Sequence, residues 1–242
     1  MAACTCGRSG DPAMDGAHER IIALLAASSG QRIRPVWIGW RPRRRLRLWD
    51  RSPKMVYEEP MALAPTLYDF DVALSHVDRS IDQRLNFKTA RHPSEALDRV
   101  WLRVLAFCWQ WEERIAFGPG LSDPDAPDLL AKDLTGDEVL WIRVGKADPV
   151  RLQKEADRHP RARVAVLFDS TQRMEAFATA ARGVKLDRLG KVELAAVDPA
   201  LLSGLAAIDE RRNRLSLTIV GDHFYVERNG QTLDGPLARA SL

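Results

Sequence analysis

Most of the usual signposts are missing from this 242-residue chain. Three cysteines are too few for a disulfide framework. No apolar run approaches the roughly 20 residues a membrane-spanning helix needs. The first apolar patch, residues 21–27, is too short for a secretory leader, follows acidic residues and is not succeeded by a cleavage-site pattern. These absences predict a cytoplasmic protein with no membrane partner. There is no Walker loop, no GxGxxG behind a strand, no HExxH and no GxSxG. Cys4-Thr5-Cys6 is too closely spaced for zinc without two further ligands.

What is present is globular composition, 45% hydrophobic and 29% charged. The net charge of +3 conceals an asymmetry. Residues 1–60 hold 11 of the 36 Lys and Arg but 6 of the 33 Asp and Glu, a net +5. Residues 61–242 hold 25 and 27, a net −2. A basic excess usually marks an acidic partner such as nucleic acid, but only where it belongs to the folded part. Here it does not. The first 60 residues read poorly as structure, with a short helix over 18–28 and a strand over 36–40 bracketed by Pro35 and Pro42. Arg41–Arg47 reads either as a nucleic-acid arm or, more simply, as a solvated basic run in a tail. Met61-Ala62-Leu63 reads as a natural start, so residues 1–60 are expected to be an extension or a start codon assigned too early.

From Met61 the pattern becomes regular. Two alternating runs, 66–74 and 83–89, predict a hairpin. Pro93 keeps His92 out of helical geometry, and Ser94 is placed to cap a helix with Glu95 in its first turn. Leu97, Val100, Trp101, Val104, Leu105, Cys108 and Trp111 then recur at helical spacing, and Leu102, Ala106 and Trp109 add a second apolar strip. Such a helix is central rather than peripheral, and its Trp residues and Cys108 are core. Strands follow over 128–132, 139–144, 163–168 and 192–197, with helices over 149–159, 171–182 and 199–207. Three closing strands lie over 215–220, 223–227 and 232–237, joined at Gly221-Asp222 and Asn229-Gly230. The expected class is mixed α/β, one central sheet flanked by helices in a single domain over 61–242.

The string Thr89-Ala90-Arg91-His92-Pro93-Ser94-Glu95 before a Trp-rich helix resembles the bacterial YaeQ family. So do Trp141-Ile142-Arg143-Val144-Gly145 and Arg151-Leu152-Gln153-Lys154, and the resemblance runs from Met61 to about Leu237. It implies a fold more than a reaction: a restriction-endonuclease-like, PD-(D/E)xK core with added strands and altered site residues. The element order agrees with that core, which is a helix, three strands, a helix and a strand.

In that superfamily carboxylates hold Mg²⁺, which activates a water for phosphodiester hydrolysis, and a lysine offsets charge on the phosphate. The resemblance maps the helix acid to Glu95 and the strand acid to Asp128, with Asp125 as a further candidate metal ligand. YaeQ relatives usually read Trp-Ile-Glu-x-Gly, so Arg143 stands where a third acid is expected. An arginine can replace a cation electrostatically but cannot ligate one. The motif lysine falls at Gly145, leaving Lys146 or Lys132 as neighbours. Plainer readings stand beside these: a surface pair of Glu95 with Arg99, a solvated loop for Asp128 and Asp125, and a structural His92. Arg143, mid-strand among apolar neighbours, should pair with an acid, Glu95 or Asp128. The leading expectation is a degenerate metal site that binds nucleic acid or a phosphate-containing ligand without cutting it. The alternatives are a working Mg²⁺-dependent nuclease using Glu95 and Asp128, and a non-catalytic protein-interaction module.

Overall fold

The computed structural model describes residues 64–119, 126–184 and 192–242. All belong to Glu58–Leu242, the second of the two units into which the chain divides. The helix and strand expected over 18–28 and 36–40 lie outside the described residues, as does Asp125.

The hairpin forms as expected. β1 (Thr66–His76) and β2 (Ile81–Arg91) pair antiparallel from Thr66 opposite Arg91 to His76 opposite Ile81. A 3₁₀ turn, Val77–Arg79, joins them, and Ser80 takes the left-handed conformation that closes it. Next come α1 (Leu97–Trp109), β3 (Ile115–Phe117), β4 (Leu129–Lys132), β5 (Glu138–Val144), α2 (Pro149–Arg158), β6 (Arg163–Phe168), α3 (Thr171–Val184) and β7 (Glu193–Val197). The chain ends with α4 (Pro199–Ala206), β8 (Arg212–Val220), β9 (His223–Arg228) and β10 (Gln231–Ala240). The ten strands among the described residues form one mixed sheet, in the order β2-β1-β8-β9-β10-β7-β6-β5-β4-β3. β1 pairs with β8, β5 with β6, and β6 with β7 in parallel.

Two devices fix the shorter helices. Asp148 and Asp198 each precede a proline at the first helical turn, where a missing N–H costs nothing. Their carboxylates accept from the amides of Arg151 (2.9 Å) and Ala200 (3.0 Å). The start of α1 differs from expectation. Ser94 does not cap it; the helix begins after Ala96, and no side chain caps it. Ser94 Oγ lies 2.7 Å from His92 Nδ1 instead, and Glu95 precedes the helix. The competing local bond within His92-Pro93-Ser94 wins over the cap.

α1 is buried on every side from Val100 to Trp109, as its double apolar strip requires. Its core faces α4 and one side of the sheet, drawing on both ends of the strand order. The sheet curls round it, so that the outermost strands approach: Phe87 of β2 and Phe117 of β3 lie 5.4 Å apart, both against Phe107. A second core lies on the other face, under α2 and α3. Strand alternation divides β5 between the two. Leu140, Ile142 and Val144 enter the first core, and Trp141 enters the second.

Candidate functional site

Glu95 is held by the tight turn that enters α1. Its amide donates to the His92 carbonyl (2.8 Å), and the His92 amide donates back to Oε2 (3.2 Å). The carboxylate is buried, so its charge needs partners. Two come from α1, four and eight residues on. Arg99 Nε lies 3.3 Å from Oε1, and Arg103 donates to Oε2 at 3.0 Å. Arg103 is 3% exposed and also donates to the Ala90 carbonyl (2.8 Å). Burial draws its guanidinium below the ordinary pKa, with Glu95 and Asp128 opposing.

Asp128 is positioned by backbone on both sides. Its amide donates to the Ile142 carbonyl, and its carbonyl accepts from Gly118 (both 2.9 Å). Its buried carboxylate accepts from the Val144 amide at Oδ2 (2.9 Å) and from Arg99 at Oδ1 (2.6 Å). Arg99 also donates to the Val144 carbonyl (2.9 Å). One guanidinium therefore bridges both predicted acids and ties α1 to the end of β5.

The structure brings Glu95 and Asp128 together, but the cation between them is Arg99. The expectation that Arg143 pairs with one of these acids is corrected by strand alternation. Arg143 shares the Trp141 side of β5, away from the α1 side that Ile142 and Val144 occupy. It donates to the Ala126 carbonyl and lies 5.8 Å from the Trp141 ring centroid. Nor is Glu95–Arg99 the solvated surface pair of the plainer reading, since the Glu95 side chain is 3% exposed. Lys146 lies just past β5, on the Trp141 side with Arg143.

Among the described residues the donor set of Glu95 and Asp128 does not fit Mg²⁺. A hard divalent ion takes carboxylate oxygens and retains waters. Here the oxygens of both acids already face guanidinium or amide N–H groups, and Arg99 occupies the space a shared ion would need.

The model of the family described as YaeQ protein matches residues 61–235. The chain belongs to the YaeQ family. YaeQ of Escherichia coli (strain K12) is 30% identical over 160 residues, which cover 66% of this chain and 86% of that protein. YaeQ of Salmonella typhi is 39% identical over 95 residues, 39% of this chain and 52% of that one. The crystal structure of the YaeQ protein from Xanthomonas axonopodis pv. citri is similar with a TM-score of 0.67 at 26% identity, covering 74% of this chain and 99% of that one. That of the YaeQ protein from Pseudomonas syringae has a TM-score of 0.66 at 29% identity, covering 74% and 97%.

In this YaeQ-family chain two site residues escape the motif reading. Arg99 is visible as the fourth residue after Glu95, but helical spacing alone does not separate a buried pair from an exposed one. Arg103 carries the clearer signal. It is the one charged residue between Arg99 and Glu112. A lone cation in an apolar helix must find an acid inside.

Proposed function

We propose that this unit is a PD-(D/E)xK-like core with a degenerate metal site. On this reading it binds a phosphate-containing ligand, free or within a nucleic acid, in the cytoplasm, and does not cleave it. The observation that carries the reading is Arg99, whose guanidinium joins Glu95 and Asp128 where a nuclease would hold its ion. A fixed positive charge keeps such a site electrostatically balanced, but it offers no coordination position and lowers the pKa of no water. The sequence α1, β3, β4, β5, α2, β6 also supports it, being a helix, three strands, a helix and a strand.

The test is incubation of the full chain with single- and double-stranded DNA and RNA in Mg²⁺ or Mn²⁺. Fluorescence anisotropy at low salt follows binding in parallel. Binding with intact substrate is expected. Metal-dependent cleavage that disappears in Asp128→Ala establishes the working nuclease instead.

A further inference from the structure

A local concentration of positive charge lies apart from α1 and the acid pair. It lines a cavity of about 560 Å³ between the end of β5 and one flank of α2. Ligand pockets are typically about 300–1,000 Å³, so a phosphorylated group of nucleotide size can enter. Five cations line it: Arg143, Lys146, Arg151, Lys154 and Arg158. Their placement follows from the local fold. Arg143 is directed here by the alternation of β5. Lys146 follows the left-handed Gly145 that ends the strand. Arg151, Lys154 and Arg158 recur at helical spacing, while Leu152 and Ala156 turn to the core.

Among the described residues two acids share this wall, and both are engaged. Asp148 caps α2 through the Arg151 amide, and Glu155 pairs with Arg158 at 2.7 Å. Among the described residues the lining therefore carries a net +3, within a stretch, residues 61–242, whose own net charge is −2. A general basic surface does not explain that contrast. Because Asp148 already occupies the helix N-terminus, an anion would be held by side chains rather than by the first-turn amides.

We propose that this cavity is the phosphate-binding site of the protein, with Lys146 and Lys154 taking the oxyanion of a phosphate ester. The proposal rests on the non-cleaving reading above and locates its ligand. Two sources share this chemistry, a free nucleotide and a nucleic-acid backbone.

The test compares the full chain with the double variant Lys146→Glu/Lys154→Glu, which changes two exposed side chains. Lys88→Glu/Arg212→Glu, on β2 and β8, is the charge-matched control. Probes are adenosine triphosphate by calorimetry and a labelled single-stranded DNA by anisotropy, at low and moderate salt. The pocket variant is expected to bind about tenfold more weakly or worse, since charge reversal turns a phosphate contact repulsive, with the control within about threefold of the parent chain. Loss of triphosphate binding assigns the site to a free nucleotide. Loss of DNA binding alone assigns it to a polymer backbone; either supports the proposal. Equal weakening in both variants, or unchanged binding in the pocket variant, overturns this location while leaving the non-cleaving reading intact. A parent chain that binds neither probe overturns both. Thermal unfolding of each variant shows whether the fold is retained.

Discussion

Glu95 sits where a buried carboxylate is hardest to keep, and its stability rests on which cation is closest to fully buried. Arg99 is about a quarter exposed at its side chain, whereas Arg103 is 3% exposed. Removing Arg103 strands charge in the interior. Arg103→Met is expected to lower the unfolding free energy by about 3–5 kcal/mol, as breaking a buried pair does. Combining it with Glu95→Gln removes the stranded charge, so the double variant should lose less than the sum of the singles. Urea titrations of the four chains measure this, and strict additivity would refute the coupling. His76 makes a second residue-scale case. It is buried at the end of β1, and its Nδ1 has no hydrogen bond. Burial, then Arg79, holds its pKa below the ordinary 6.5, with Asp78 and Glu193 opposing and Arg239 adding to the depression. As pH falls through about 6.5 the unfolded chain takes up this proton and the folded chain does not. Stability is thus complete above that pH and declines below it. His76→Phe should flatten the fall in Tm between pH 7.5 and 5.5; an unchanged slope would remove His76 as its source.

At the scale of elements, the contact of Gly118 with Pro127 and Asp128 sets the entry of Asp128. A Cβ on Gly118 would lie 2.0 Å from the Pro127 carbonyl oxygen, a backbone atom that cannot swing aside. Gly118→Ala should cost about 1–3 kcal/mol, the range for forced overpacking. It should also weaken the Asp128–Arg99 contact, visible as shifted Val144 and Arg99 resonances. A stable variant with an unperturbed site would show that the hairpin does not position this acid. The same region shows what was legible and what was not. The strand over 163–168 and the helices behind Asp148 and Asp198 are readable because capping and apolar runs are local signals. β3 is three residues long and has no period to detect. Arg143 departs from expectation for a related reason. Its apolar neighbours show that it is partly covered, but its face depends on which side of β5 meets α1, a tertiary fact. The pairing of Glu95 with Asp128 came from the family motif, while the identity of the cation between them came only from the fold.

For the whole molecule, the question is whether two hydrophobic cores mean two folding units. Trp101 and Trp109 lie in the core around α1, and Trp141 lies in the one beneath α2 and α3. The cores share a sheet rather than a boundary. β5, β6 and β7 send alternate side chains into each: Ala165 and Leu167 to the first, Val164, Val166 and Phe168 to the second. Neither core can be exposed without stripping one face from the same three central strands, which then lose burial on both sides. The chain order reinforces this, because β10 pairs with β7 on one side and β9 on the other, joining the two halves of the sheet. The expected result is one cooperative transition over the described unit. Hydrogen exchange resolved by peptide in sub-denaturing urea tests it. Amides of β1, β8 and β9 and amides of β5 and β6 should converge on one opening free energy. If the β5–β6 amides open at a distinctly lower free energy than those of β1 and β8, the shared sheet does not couple the cores. The cavity beside α2 would then belong to a separately unfolding half.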